Sequence, residues 1–215
     1  MSLNLILIII FSIVSIVYLI TLVFKPGVFQ FILKGCLMPL LLAVYIFNAG
    51  PQNIFPPIVL ALIFAWIGDV LLIKISNTTC FKLGLTGFLI GHICYIVGMF
   101  KEIQHFNIVV MIISFAAAAG FAVAAYKVVK PSKQMQIPVI AYETIILTMA
   151  VFALQVFLSA DNRLFGMLVF AGSLCFVISD TLLALQTFRG VKFYLVVMIT
   201  YIAAQFLISY GFTLI

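Results

Sequence analysis

LNLILIIIFSIVSIVYLITLVF, residues Leu3–Phe24, decides the fold class. The run holds 22 residues without a charge. About 20 apolar residues carry a helix across the hydrocarbon of a bilayer. The run is too long for the core of a signal peptide and lacks a basic start, so the expectation is a first membrane span.

Reading outward from it, the rest of the chain has the same character. Of 215 residues, 67% are hydrophobic and 7% are charged, a composition of membrane spans rather than of a soluble domain. Polar and Gly/Pro punctuation divides the chain into eight candidate spans, roughly 3–24, 32–49, 56–74, 83–101, 106–127, 136–158, 164–187 and 192–214. No segment is left over for a soluble domain. The runs are continuous rather than alternating, which excludes a membrane barrel. The expected architecture is therefore all-α: one polytopic membrane helical bundle over residues 1–215, with eight transmembrane helices.

The net charge of +6 does not point to nucleic acid, because the basic residues come in ones and twos. It fits the positive-inside rule instead. With eight spans, one face holds Lys25, Lys34, Lys74, Lys82, Lys127, Lys130, Lys133, Arg189 and Lys192, and the other only Lys101 and Arg163. Nine against two puts the first group in the cytoplasm and both termini on the non-cytoplasmic side. Cys36, Cys80, Cys94 and Cys175 lie far apart without a CxxC pair, so neither a disulfide framework nor a zinc site is expected. Asn77-Thr78-Thr79 fits the glycosylation pattern but falls in a short loop on the cytoplasmic side.

Three acids break the apolar runs: Asp69, Glu143 and Asp180. A carboxylate at mid-membrane costs a few kcal/mol on insertion scales, and such residues mark functional sites by default. The plainer alternative is an acid paired with a neighbouring Lys, Tyr or backbone group that only fixes helix packing. Asp69 lies five residues before Lys74, about 7–8 Å of helix rise, and Asp180 nine before Arg189, about 13 Å. Both therefore belong to the cytoplasmic half. The early residues of even-numbered spans share that half, which brings in Lys34, His92, Tyr95, Tyr142, Glu143, Tyr201 and Gln205. The expected geometry is a polar interior pocket open toward the cytoplasmic leaflet. His92 and Tyr95, three apart, share a helix face, as do Tyr201 and Gln205, four apart.

The two aspartates also share a pattern. WIGDVLLI (Trp66–Ile73) and VISDTLLA (Val177–Ala184) each place a small residue, Gly68 or Ser179, before the acid, which allows close helix approach. Their separation of 111 residues hints at a four-helix pseudo-repeat. No GxSxG elbow, HExxH pair or phosphate-binding glycine loop accompanies them. No metal or other cofactor is expected.

FAWIGDVLLI (Phe64–Ile73), GFLIGHICYI (Gly87–Ile96), GSLCFVISDTLLAL (Gly172–Leu185) and TYIAAQFLI (Thr200–Ile208) resemble the hallmark segments of the YhhN family, which includes the membrane lysoplasmalogenases. Lys34-Gly-Cys-Leu-Met-Pro39 is similar to a Lys-Pro-rich family segment, with Gly35 where a proline often stands. The resemblance covers nearly the whole chain. It implies a multi-pass membrane hydrolase, in the cell membrane if the host is bacterial, acting on a lysophospholipid with a vinyl ether-linked chain. The products would be a fatty aldehyde and glycerophosphoethanolamine or glycerophosphocholine.

Vinyl ether hydrolysis begins with protonation at carbon, giving an oxocarbenium-like cation. Water then adds, and the hemiacetal collapses to aldehyde and alcohol. Two carboxyl groups can divide the acid and base roles if their environments separate their pKa values, as in glycosidases acting through a related cation. Asp69 and Asp180 are the expected acid/base pair. Lys34, His92, Tyr95, Tyr142, Glu143, Tyr201 and Gln205 would orient water or hold the phosphate and glycerol. A proton-coupled transporter or lipid flippase is the rival class, since intramembrane acids and a histidine also suit a carrier.

Overall fold

The computed structural model describes residues 3–24, 27–73 and 77–215. Among these residues the secondary structure is helical, without a strand. The helices are α1 (Leu3–Thr21), α2 (Val28–Ala49), α3 (Pro56–Leu72), α4 (Thr78–Glu102), α5 (Ile108–Val129), α6 (Gln136–Ser159), α7 (Arg163–Arg189) and α8 (Tyr194–Gly211), with one 3-10 turn at Lys133–Met135. Seven are long and apolar enough to cross a membrane, and α3, at 17 residues, is a shorter apolar helix. That length is at the lower limit of a span. Lys25 and Lys74, counted in the charge bias, lie outside the described residues.

The helix ends follow local chemistry. Asn107 and Asn162 accept hydrogen bonds from the first free N–H groups of α5 and α7, and Pro56 and Pro57 open α3, where a missing N–H costs nothing. Asn77 Oδ1 accepts from the N–H groups of Thr79 and Cys80 at 2.9 and 3.1 Å. The asparagine of the glycosylation pattern is thus spent capping α4. Several helices outrun the expected spans: α2 starts at Val28 rather than 32, α4 at Thr78 rather than 83, and α7 runs on to Arg189. The expected spans stopped short near Lys34, Lys82 and Arg189, but a long cationic side chain can reach toward water while its backbone stays helical.

The chain forms two compact units: one runs through Gly98 and takes in Ser209–Ile215, and the other is Met99–Ile208. In the first, α4 lies against α3 through glycines. A Cβ on Gly87 would stand 3.1 Å from the Phe64 carbonyl oxygen and 3.2 Å from the Gly68 nitrogen, and one on Gly91 3.2 Å from the Ala61 oxygen. Gly68 receives the ring of Phe88, 2.8 Å from where its own Cβ would be. The glycine before Asp69 is therefore room for a neighbour, not a helix break.

In the second unit, α7 meets α8 the same way. A Cβ on Gly172 would lie 2.7 Å from Ile208 Cγ1 and 3.0 Å from the Ala204 oxygen. Gly120, in α5, has nothing within 4 Å of that position. Gly172→Ala is expected to destabilise by about 1–3 kcal/mol through overpacking. Gly120→Ala should be neutral or stabilising by up to about 1 kcal/mol, from helix propensity alone. Denaturant unfolding of the two variants in micelles checks the contrast.

Candidate functional site

The site in the first unit begins with a proline. Pro39 sits inside α2, and without an N–H it cannot donate to the carbonyl four residues back. That carbonyl belongs to Gly35. Trp66 Nε1 of α3 donates to it at 2.9 Å. The bond ties α2 to α3 one residue from Lys34, whose Nζ lies 3.5 Å from Asp69 Oδ1. Trp66 and Asp69 are three apart, so both reach from one face of α3. Two polar links therefore hold this helix pair. The side chains of Lys34 and Asp69 are 17% and 3% exposed, so the ion pair is largely withdrawn from solvent.

Trp66→Phe is expected to cost about 1–3 kcal/mol by leaving the Gly35 carbonyl without its indole donor. In a Pro39→Ala background the restored backbone N–H can serve that carbonyl, so the same change should cost markedly less. A double-mutant cycle by unfolding in micelles reads the coupling; additive costs would remove the proposed link.

Tyr18 of α1 is buried and close enough to Asp69 to feel its charge. Sequence reading missed it, because a tyrosine near a span end passes for an aromatic anchor. The available signal was the stripe Phe11, Ser15, Tyr18, the buried residues of α1, at positions i, i+4 and i+7.

His92 and Tyr95, both buried, correct the expected common depth. Gly91 packs between Ala61 and Ala65, about six residues before Asp69, which places His92, one residue further on, about 10 Å away along the helix axis. The cause is the early start of α4: His92 lies 14 residues past Thr78, about 21 Å into the helix.

In the second unit, Tyr142 Oη donates to Asp180 Oδ2 at 2.5 Å, joining α6 to α7. Ser179 Oγ donates to the Val197 carbonyl at 3.1 Å, which seats the same turn of α7 on α8. Glu143 is half-buried and points about 100° around α6 from Tyr142. Gln205 Nε2 donates to Tyr201 Oη at 3.3 Å, and the Tyr201 ring meets Phe176 edge-on at 6.0 Å. Gly172 packs between Ala204 and Ile208, which sets Gln205 level with a residue about seven before Asp180, again about 10 Å along the axis. The structure thus pairs each aspartate with one of the expected residues, Lys34 or Tyr142. His92, Tyr95 and Gln205 stand about two turns or more deeper.

The all-helical, apolar architecture agrees with what the chain matches: the YhhN family, over residues 29–212. The chain belongs to the YhhN family. The match begins one residue into α2 and includes both aspartates, so α1 precedes it. No curated protein and no solved structure matches the chain. This YhhN-family protein is an integral, multi-pass membrane protein.

Proposed function

We propose that this YhhN-family protein is a membrane hydrolase that cleaves the vinyl ether bond of lysoplasmalogen. The products are a fatty aldehyde and glycerophosphoethanolamine or glycerophosphocholine. The observation that carries the reading is the pair of acids, each held by a different partner on an adjacent helix: an ammonium at Asp69 and a phenol at Asp180. The reaction needs a proton delivered to a vinylic carbon and one removed from water, which two carboxyl groups supply. Lys34 and Tyr142 orient the carboxyls. Lys34 also faces the phosphate, and His92, Tyr95, Glu143, Tyr201 and Gln205 orient water. The basic bias supports placing the Asp69 and Asp180 ends of their helices on the cytoplasmic side, with both termini outside.

Purified protein in micelles is expected to release fatty aldehyde and glycerophosphodiester from lysoplasmalogen in equal amounts. Folded protein that yields no aldehyde, yet moves a lipid or an ion across proteoliposomes, would overturn the hydrolase in favour of a carrier.

A further inference from the structure

Two buried oxygens in the first unit are unaccounted for by the reaction. Ser15 Oγ of α1 and Gln30 Oε1 of α2 have no hydrogen-bond partner among the described residues. Other hydroxyls of α1 are satisfied inside their own helix: Ser12 Oγ donates to the Ile8 carbonyl at 2.8 Å and Thr21 Oγ1 to that of Tyr18 at 2.6 Å. Ser15 departs from that habit. An unsatisfied polar atom is costly where water cannot reach it, and buried polar groups without partners call for an explanation.

Both atoms belong to the hairpin of α1 and α2, which reaches Asp69 through Lys34. Ser15 and Tyr18 lie six and three residues before the end of α1. Lys34 and Gln30 lie six and two after the start of α2. Helix-type bonds carry α1 past Thr21, and Tyr18 and Lys34 both reach Asp69, so Tyr18 is level with Lys34, with Ser15 on the side away from the turn and Gln30 on the side toward it. Gln30 and Lys34, four apart, share one face of α2, and that face reaches Asp69 through Lys34. The successive levels Ser15, Lys34 and Gln30 are thus about 5–6 Å apart.

The chemistry of the levels is ordered. Lys34 offers positive charge and donors, suited to a phosphodiester. Gln30 Oε1 is an acceptor only, so whatever fills it must donate. Ser15 can take a hydroxyl. Glycerol hydroxyl, phosphate and terminal amine follow one another in a lysophospholipid headgroup at similar spacing. A primary ammonium donates N–H bonds, whereas a trimethylammonium has none to give.

Resting on the lysophospholipid reading of the site, we propose that the α1–α2 hairpin is a headgroup subsite selecting ethanolamine over choline, with Gln30 Oε1 accepting from the primary ammonium. Ser15 and Lys34 hold the glycerol and phosphate. The helix that precedes the family match thus contributes to recognition.

The test is equilibrium binding of glycerophosphoethanolamine and glycerophosphocholine to the full-length protein in nanodiscs. The wild type is expected to prefer the ethanolamine compound by about 10–100-fold, the size of one hydrogen bond to a charged group. Gln30→Met should erase the preference by weakening the ethanolamine compound alone. Unchanged choline binding then reports an intact fold. Equal affinity in the wild type, binding of neither compound, or a Gln30→Met variant that loses both or neither would overturn the subsite. Binding is read without turnover, so the two proposals fail separately. A preference without aldehyde release removes the hydrolase and leaves the subsite; aldehyde release without a preference does the reverse.

Discussion

Replacing Asp69 with leucine is expected to destabilise the protein by about 3–5 kcal/mol, and adding Lys34→Met should return most of that loss. The reasoning is electrostatic. Lys34 Nζ stands 3.5 Å from Asp69 Oδ1 with both side chains largely buried. Removing the acid alone strands an ammonium in a poorly solvated place, whereas replacing both partners with apolar groups of similar volume is often neutral. Activity separates the two meanings of the pair. A purely structural ion pair would let Lys34→Met/Asp69→Leu regain aldehyde release along with stability. A reacting carboxyl leaves the refolded double variant inactive. Unfolding in micelles, read beside aldehyde release from lysoplasmalogen, measures both. A double variant that is stable and fully active would remove Asp69 from the chemistry.

The sequence made the helices legible because the hydrocarbon imposes a length and forbids charge, and both leave plain marks in a chain like Leu3–Phe24. The same logic misjudged the start of α2 and of α4. Lys82 and Arg189 read as lying beyond span ends, yet their backbones are helical. That error carried into the site, since five extra residues at the front of α4 push His92 about 7–8 Å deeper. Asp69, Asp180, Lys34 and Tyr142 were all nameable from their types and rough depth. Which pairs meet was not, because pairing depends on each helix's rotation and a residue count gives only the level. The Gly35–Trp66 bond was nearer to hand. A proline inside a helix always frees the carbonyl four residues earlier, so Pro39 announces that Gly35 needs a donor.

Asp180→Asn is expected to lower aldehyde release by about 10²–10⁴-fold, the usual worth of a positioned proton-transfer group, with little change in stability. The amide has the shape of the carboxyl, and its oxygen can still accept from Tyr142 Oη, which lies 2.5 Å from Asp180 Oδ2. What it loses is the capacity to exchange a proton with substrate or water. Tyr142 acts through Asp180 as a positioning residue. Tyr142→Phe should therefore slow turnover by about tenfold, of the order of one hydrogen bond, mainly in kcat. The phenol's contribution exists only if the carboxyl is there to be positioned, so Tyr142→Phe/Asp180→Asn should be no slower than Asp180→Asn alone. Independent roles would instead multiply the two losses. Asp180→Asn with wild-type kcat would place the proton transfer elsewhere and leave the Tyr142–Asp180 bond as a clamp between α6 and α7.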